Sequence, residues 1–250
     1  MVSVKTEDEI KKISRASEIV AHILDELTAT IRPGLNTGEI DTMAEEKLRK
    51  YHATSAFKGY RGYPASICVS INDEIVHGIP SPQRVIREGD IVSLDFGVKL
   101  NGFFGDAAVT VPVSPVSELA VKLMAVTEEA LYRGIREAKV GNRLYDISSA
   151  IQSHAEGSGF SVVRDFVGHG IGRALHEDPQ IPNFGQRGKG IKLERGMVFA
   201  LEPMVNVGDY RVRLDPDGWT ARTYDGALSA HFEHTVMVDY EHGVVLSGVN

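Results

Sequence analysis

Two aspartates interrupt an otherwise apolar stretch, SLDFGVKLNGFFGDAAVT, at residues 93–110. Asn101-Gly102 lies between them and is typical of a two-residue type I′ hairpin turn. If that turn forms, Asp95 lies opposite Ala108, and Asp106 becomes its diagonal neighbour. Because side chains alternate along a strand, both carboxylates then lie on one face of the sheet.

Two carboxylates on one sheet face repel each other unless a cation lies between them. An ionised carboxylate that is moved into apolar surroundings must also be paired or lose its charge. The hairpin therefore predicts a cation site beside Asp95 and Asp106. A β-bulge near Gly105 is the alternative, since it would change the register of the two strands.

An internal repeat doubles this pair of acids. Two segments align with later ones at one constant offset: residues 34–40 with 141–147 and 89–95 with 196–202. That offset carries Asp95 onto Glu202. A larger offset carries Asp106 onto Glu233 and implies an insertion in the second half near residues 206–227. If the two halves pack about a pseudo-twofold axis, four carboxylates meet there.

Four carboxylates at one place require roughly two divalent cations, the arrangement of two-metal hydrolytic sites. A fifth ligand is expected from His77, His169 or His176, because imidazole binds divalent transition metals well. His169 and His176 both lie in the glycine-rich segment VGHGIGRALHEDP. The zincin sequence H-E-x-x-H is absent. His234 follows Glu233 directly and is expected to point to the opposite face.

A single aspartate at the end of a strand is usually a turn or cap residue, and this reading would account for each acid taken alone. Four acids at repeat-equivalent positions argue against it. The flanked histidine of Gly168-His-Gly170 could likewise belong to an ordinary loop. Cys68, if unrelated to the site, would be a buried small residue rather than a nucleophile.

The predicted elements follow the order helix, helix, strands, and then the same order again. Helices are expected at residues 7–30, after Thr37, at 117–138 and at 144–157, with Thr6 and Glu9 forming a capping box. Runs of helices followed by runs of strands predict an α+β fold with antiparallel sheets and helices on the outer face. We expect one catalytic domain over residues 1–250, with pseudo-twofold halves of about 1–112 and 113–250.

The composition is that of an ordinary globular protein, with 42% hydrophobic and 24% charged residues among 250. The net charge of −7 argues against a protein that coats nucleic acid. The single cysteine, Cys68, allows no intrachain disulfide. The N-terminal residues lack the apolar core of a signal peptide, and no run is long enough for a membrane span. These features predict a cytoplasmic protein without membrane or specific nucleic-acid partners.

Several segments, in this order along essentially the whole chain, resemble those of type I methionine aminopeptidases. They are HGIP at 77–80, DIVSLDFG and GDAAVT within 90–110, GHGIGRALHEDP at 168–179, ALEPM at 200–204 and FEHT at 232–235. The resemblance implies the duplicated pita-bread fold. It also implies hydrolysis that removes an N-terminal methionine followed by a small residue. The chain is most similar to the compact bacterial form, without the N-terminal zinc-binding extension or the helical insertion of other forms.

The resemblance implies a role for each candidate residue at the metals. The site would hold two divalent cations, either Mn, Fe, Co or Zn. Their ligands would be Asp95, Asp106, His169, Glu202 and Glu233. Asp95 would bind one cation and His169 with Glu202 the other, while Asp106 and Glu233 would bridge. Glu202 would also exchange protons during catalysis. His176 would contact the scissile carbonyl or the tetrahedral intermediate, and His77 the side of the peptide nitrogen.

The resemblance further implies a methionine pocket and a set of partners. The pocket would be formed by Tyr60, Tyr63, Cys68, Leu175 and Trp219, with Phe57 at its margin. Leu175 departs from the aromatic residue of many relatives. Asn72 and Ser229 would lie near a monovalent cation. The partners would be the N-termini of nascent polypeptides, with transient association with the ribosome, and the protein would be a monomer.

Two other functions remain open from the sequence. The first is a proline-specific peptidase of the same fold, such as a prolidase or an Xaa-Pro aminopeptidase, although these usually carry an extra N-terminal domain. The second is a non-catalytic pita-bread module that binds protein or the ribosome. Such modules lose metal ligands, whereas all five are present in this sequence.

Overall fold

The computed structural model describes residues 2–248. Their four α-helices are α1 (Glu7–Thr28), α2 (Thr37–Lys50), α3 (Glu118–Glu137) and α4 (Leu144–Gly157). The predicted capping box begins α1: the Glu9 amide donates to Thr6 Oγ1 at 3.3 Å, and the Thr6 amide donates to Glu9 Oε2 at 2.9 Å. Within the described residues, no helix combines the length and the apolar character needed to cross a bilayer.

The strands are short except for the central hairpin. They are β1 (Thr54–Ser55), β2 (Cys68–Ile71), β3 (Glu74–Val76), β4 (Ile91–Leu100), β5 (Phe103–Pro112), β6 (Ser161–Val162), β7 (Gly168–Gly170), β8 (Glu177–Ile181), β9 (Val198–Leu201), β10 (Met204–Asn206), β11 (Val212–Leu214), β12 (Ala221–Thr223), β13 (Ser229–His231), β14 (Glu233–Met237) and β15 (Val244–Val245). A 3₁₀ turn covers Tyr60–Gly62.

One nine-stranded sheet runs through the molecule, in the order β1-β4-β5-β14-β9-β7-β8, with β2 on β4 and β15 on β14. All of its pairings are antiparallel, so the predicted α+β class is confirmed. Apolar side chains of α1 and α2 pack on β4, and those of α3 and α4 pack on β9. The helices thus bury one face of this sheet, which drives folding through the removal of apolar surface from water.

The hairpin of β4 and β5 has the predicted register. Asp95 lies opposite Ala108, and Asp106 lies opposite Gly97. The pairing continues without a bulge through Gly105, which lies opposite Val98. The expected arrangement of the two aspartates on one face is therefore confirmed, and the alternative bulge is absent.

Gly105 instead allows α1 to approach the hairpin closely. A Cβ atom at this position would lie 2.5–2.7 Å from Oγ, N and Cα of Ser17, which is buried in α1. Two of these three atoms belong to the helix backbone, so a side chain could be accommodated only by displacing α1. The glycine therefore sets the distance between this helix and the sheet.

We expect Gly105→Ala to lower the free energy of unfolding by about 1–3 kcal/mol, the usual cost of overpacking a core. Urea unfolding of the purified variant measures this. Gly157→Ala is the matched control, because its added Cβ would have no atom within 4 Å. If the two variants had equal free energies of unfolding, α1 would be able to move away from the hairpin without loss of stability.

The segment that the repeat predicted as an insertion, residues 206–227, contains β11 and β12. These strands pair with each other, and β12 also pairs with β3. The three-stranded sheet that results brings Trp219, in the turn between β11 and β12, toward His77 just after β3. The two rings lie 6.4 Å apart by centroid.

Candidate dinuclear metal site

Four of the five predicted ligands lie on neighbouring strands of the large sheet, and the fifth directly follows the strand between two of them. Asp95 is on β4, Asp106 on β5, Glu233 on β14, Glu202 directly after β9 and His169 on β7. Each strand therefore supplies one ligand, and no ligand depends on a long loop for its position.

The strand register places the carboxylates of the first three strands on one face. Asp95 and Glu233 both lie opposite Ala108, one from each side. Asp106 precedes Ala108 by two residues and so points in the same direction.

The same argument extends across the remaining strands. His169 lies opposite Ala200, which precedes Glu202 by two residues. Ala200 in turn lies opposite Thr235, two residues after Glu233. Because a step of two residues keeps the face, all five predicted ligands converge on one side of the sheet.

The side chains converge within the range of metal coordination. One ligand atom each from Asp106, His169 and Glu233 lies within 4.8 Å of the other two. Glu202 Oε1 lies 3.6 Å from His169 Nε2. His169 Nδ1 lies 2.9 Å from the carbonyl oxygen of Gly170 and can donate to it, which leaves Nε2 free to bind a metal.

Burial makes the carboxylate cluster unstable in its fully charged form. It raises the pKa of Asp95 from 3.8 to about 7. Burial, together with the neighbouring carboxylates, raises the pKa values of Asp106, Glu202 and Glu233 well above their ordinary range. Such shifts are typical of acids that share a site without a counter-charge.

Three buried oxygens of this cluster lack any hydrogen-bond partner: Asp95 Oδ1, Asp106 Oδ1 and Glu233 Oε1. Unpaired buried acceptors of this kind cost free energy unless a cation or water satisfies them. Burial also lowers the pKa of His169 to about 3, so its imidazole is neutral and can coordinate. Four carboxylates and one neutral imidazole fit divalent transition metals.

A cavity of about 290 Å³ opens over the cluster and contains both remaining histidines. The His176 ring lies 4.2 Å from that of His169 by centroid, and its Nδ1 lies 2.8 Å from Tyr60 Oη. Burial and the nearby His176 lower the pKa of His77 to about 4. Burial and the nearby Arg61 lower the pKa of His176 to about 4. Both rings are therefore neutral at pH 7.

His77 is held in an unusual backbone conformation. Its φ of 61° lies in the left-handed region, which costs free energy for a residue with a side chain. Its ring packs edge-on against Phe166, with centroids 5.2 Å apart. Contacts with the surrounding structure therefore outweigh the cost of this backbone conformation, and the imidazole lies in the cavity.

All the residues predicted for the methionine pocket line the same cavity: Phe57, Tyr60, Tyr63, Cys68, Leu175 and Trp219. Cys68 lies opposite Asp95 in the sheet. Burial and the nearby Asp95 raise the pKa of its thiol well above the ordinary range. The thiol is therefore a poor nucleophile at pH 7 and forms part of the wall.

Sequence reasoning missed four residues that line the cavity: Arg61, Asp165, Phe166 and Val167. The last three directly precede Gly168-His-Gly170, and that proximity was the only available signal. His231 was also missed. It is buried, neither ring nitrogen has a hydrogen-bond partner, and burial lowers its pKa to about 3.

Asn72 and Ser229 lie next to each other, since the Ser229 amide donates to the Asn72 carbonyl oxygen at 2.9 Å. Neither lines the cavity, and their role at a monovalent cation stays a prediction. His234 lies on the opposite face, as expected, with its Nδ1 2.9 Å from Ser247 Oγ and its Nε2 3.4 Å from Tyr132 Oη.

The fold and the cluster agree with the comparison to known proteins. Residues 11–240 match metallopeptidase family M24, and the chain belongs to that family. It is 53% identical to the methionine aminopeptidase of Clostridium perfringens and 51% identical to methionine aminopeptidase 1 of Bacillus subtilis. Each alignment covers 95% of this chain. It covers 95% of the Clostridium perfringens protein and 96% of the Bacillus subtilis protein.

Solved structures give the same result. The methionine aminopeptidase of Thermotoga maritima superposes with a TM-score of 0.98 at 46% identity, over 100% of both chains. An Xaa-Pro dipeptidase of Bacillus anthracis superposes with a TM-score of 0.80 at 25% identity, over 99% of this chain and 62% of the dipeptidase. The predicted pita-bread fold, the resemblance to methionine aminopeptidases and the class of metallo-aminopeptidase are thus confirmed.

Proposed function

We propose that the protein is a methionine aminopeptidase that removes the initiator methionine from nascent polypeptides with a small second residue. The observation that carries this proposal is the convergence of four carboxylates, of which Asp106 and Glu233 are buried, and one neutral imidazole in a single cavity. A cavity of this kind, with convergent ionisable groups of shifted pKa, is typical of an active site.

Two divalent cations would be held by the five strand-borne ligands. Asp106 and Glu233, which come from neighbouring central strands, would bridge them, with Asp95 on one side and His169 and Glu202 on the other. When bound, the cations would lower the pKa of a coordinated water molecule toward about 7 and would polarise the scissile carbonyl.

Glu202 is the proposed proton carrier. It follows the last residue of β9, at the end of the ladder, and its carboxylate lies in the cavity beside His169. A carboxylate in this position can accept a proton from the attacking water. It can then pass that proton to the amine that leaves, which is general acid–base catalysis by one group.

His176 is the proposed donor to the carbonyl oxygen. It is neutral at pH 7, so only one ring nitrogen carries a proton. If Tyr60 donates to Nδ1, the proton lies on Nε2, which can donate to the oxygen as negative charge develops there. His77, on the Trp219 and Phe166 side of the cavity, would contact the peptide nitrogen.

Selectivity for methionine would arise from an apolar and polarisable pocket. Tyr63 and Trp219 meet edge to face, with ring centroids 5.1 Å apart, and Cys68 lies beside them. A thioether side chain packs well against aromatic edges and sulfur. The free α-amine of the substrate would ligate a cation, which would restrict cleavage to the N-terminus.

The remaining parts of the proposal concern the setting of the enzyme. We place it in the cytoplasm as a monomer that associates transiently with ribosomes and acts on emerging chains. A monovalent cation beside Asn72 and Ser229 would stabilise the turn next to the site. These statements rest on the resemblance alone.

The test is release of methionine from Met-Gly-Met and Met-Ala-Ser by protein purified anaerobically, with its metal content measured in parallel. Xaa-Pro peptides and N-formyl-Met-Ala-Ser serve as comparison substrates. We expect cleavage of the two free methionyl peptides only. Preferential cleavage of Xaa-Pro would establish the proline-specific alternative, and absence of all cleavage by metal-loaded protein would favour a binding module.

Metal binding at pH 7 is expected to release protons, because the pKa of Asp95 is about 7 in the metal-free site and a carboxylate must be deprotonated to bind a metal. Affinity should therefore rise between pH 6 and pH 8. Calorimetric titration with Mn²⁺ in two buffers of different ionisation enthalpy measures the number released. We expect a net release of protons from the wild type, and a smaller release from Asp95→Asn. Equal heats in both buffers would contradict this.

A further inference from the structure

A buried ion pair joins the N-terminal segment to the loop that carries His176. The side chain of Lys5 is only 4% exposed, and its ammonium contacts the carboxylate of Glu177 and the hydroxyl of Ser3. Lysine is almost never buried to this extent unless it is paired. Glu177 begins β8, directly after His176.

The other oxygen of Glu177 organises the loop of residues 172–176, which connects β7 to β8. Glu177 Oε1 accepts hydrogen bonds from the backbone amides of Arg173 at 2.7 Å and Ala174 at 3.1 Å. The carboxylate therefore bridges Lys5 on one side and the loop backbone on the other. Loss of the ammonium would leave that carboxylate without its buried counter-charge.

The loop is also in direct contact with the Lys5 side chain. A Cβ atom on Gly172 would lie 2.6 Å from Cε and 2.7 Å from Nζ of Lys5, so the lysine packs against the glycine backbone. On its other side the loop is fixed to β5, since the Phe104 amide donates to the Gly172 carbonyl oxygen at 2.9 Å. Residues 172–174 are thus held between the N-terminal segment and the central hairpin.

The end of the same loop enters the cavity. Leu175 is buried there, and His176 stacks on Tyr60, with centroids 5.1 Å apart. No polar group of Lys5 lines the cavity itself. The Lys5 ammonium can therefore influence the reaction through Glu177 and the loop, whereas the Lys5 backbone amide donates separately to the Gly196 carbonyl oxygen at 2.8 Å.

We propose that Lys5 is a positioning residue, which fixes the imidazole of His176 for catalysis through its ion pair with Glu177. The proposal rests on the proposed aminopeptidase function for its kinetic readout. It differs from a general stabilising role because the effect is confined to one loop and one step. A displacement of about 1 Å at a catalytic group can lower a rate by up to about 10²-fold.

The test uses the metal-loaded full-length protein and the variant Lys5→Met, which keeps the length of the side chain and removes the ammonium. For Met-Gly-Met we expect kcat to fall about tenfold with KM little changed. The double variant Lys5→Met/His176→Ala should have the same kcat as His176→Ala alone. An unchanged kcat in Lys5→Met, or losses that multiply in the double variant, would overturn the proposal.

Hydrogen exchange supplies a readout that does not depend on activity. In Lys5→Met the amides of Arg173 and Ala174 should exchange about tenfold faster, with the strands that carry the metal ligands unchanged. Exchange that is unaltered, or that rises throughout the protein, would overturn the proposal. If wild-type protein releases no methionine, the proposed function fails, and the exchange result still decides whether Lys5 holds the loop.

Two further variants make the experiment decisive. Arg195→Met is the matched control, because Arg195 also ties the start of α1 to the body, through Glu7 at 2.8 Å and Asp239 at 3.0 Å. Arg195→Met should leave kcat and the hydrogen exchange of the loop unchanged.

If Lys5→Met does not fold, Glu177→Gln tests the same bridge. The amide oxygen of the glutamine can still accept hydrogen bonds from the loop, but the negative charge that pairs with Lys5 is gone. The same two readouts decide the outcome.

Discussion

Glu202→Gln is expected to lower kcat for methionine release by about 10²- to 10⁴-fold, the usual contribution of a general acid–base group. The amide keeps the size of the carboxylate at the end of β9, so the strand and its neighbours should be unaffected. It cannot accept a proton from the attacking water or return one to the leaving amine. The measurement is steady-state kinetics on Met-Ala-Ser at saturating metal, with bound metal quantified.

Loss of metal must be separated from loss of the proton carrier, because Glu202 is also a proposed ligand. The decisive comparison is kcat per metal-loaded site, taken at Mn²⁺ concentrations that saturate each protein. Glu129→Gln is the control, since that carboxylate is on the surface and pairs with two arginines of α3. If Glu202→Gln were as active as the control at full metal occupancy, another group would have to move the proton.

Asp106→Asn should have opposite effects on stability and on function. In the metal-free protein at pH 8, we expect it to raise the free energy of unfolding by about 1–2 kcal/mol, as when a strained functional site is neutralised. It should also remove the stabilisation by metal. That stabilisation is about 2.7 kcal/mol for wild-type protein at a free metal concentration of 100 times Kd. Methionine release should be lost with it.

The sign of the first effect follows from the direction of the pKa shifts. A carboxyl whose pKa is higher in the folded protein binds protons more tightly there than in the unfolded chain. Its contribution to stability is therefore lost as pH rises from the ordinary value of 3.8 toward the folded value, which is about 7 for Asp95. The metal-free wild type should lose stability over that interval, and Asp106→Asn should lose less.

Urea unfolding at pH 5 and pH 8, with and without Mn²⁺, measures all of these quantities. Asp209→Asn is a suitable control, since Asp209 is half-buried outside the cavity and pairs with Arg211, two residues along the chain. An Asp106→Asn protein that is less stable than wild type without metal, and still stabilised by Mn²⁺, would show that Asp106 is a structural residue rather than a ligand.

Local sequence signals predicted the elements of the site because each signal acts over a short range. Asn101-Gly102 determines a two-residue turn, and that turn fixes the register that places Asp95 and Asp106 on one face. The repeat then identified Glu202 and Glu233, because equivalent positions in duplicated halves point alike. The helices were predicted to within a few residues for the same reason, as apolar periodicity and caps are local properties.

The insertion could be located but its structure could not be predicted. Its composition, polar and rich in glycine, indicated only that the repeat was interrupted. Pairing of β12 with β3 is a contact between residues about 150 positions apart in the chain, as for Arg222 opposite Glu74. Nothing local specifies such a pairing, although it determines where Trp219 lies relative to His77.

The sequence by itself determined the chemistry of this protein: which side chains are present, which of them share a strand face, and which family they resemble. Only the tertiary structure decided which groups from distant segments meet. Strands β5 and β14 lie side by side, and this brings the two carboxylate pairs together. Likewise, the N-terminal segment passes beside β8, and this pairs Lys5 with Glu177. Such contacts depend on packing of the whole chain, because their free energy comes from burial that no short segment achieves alone.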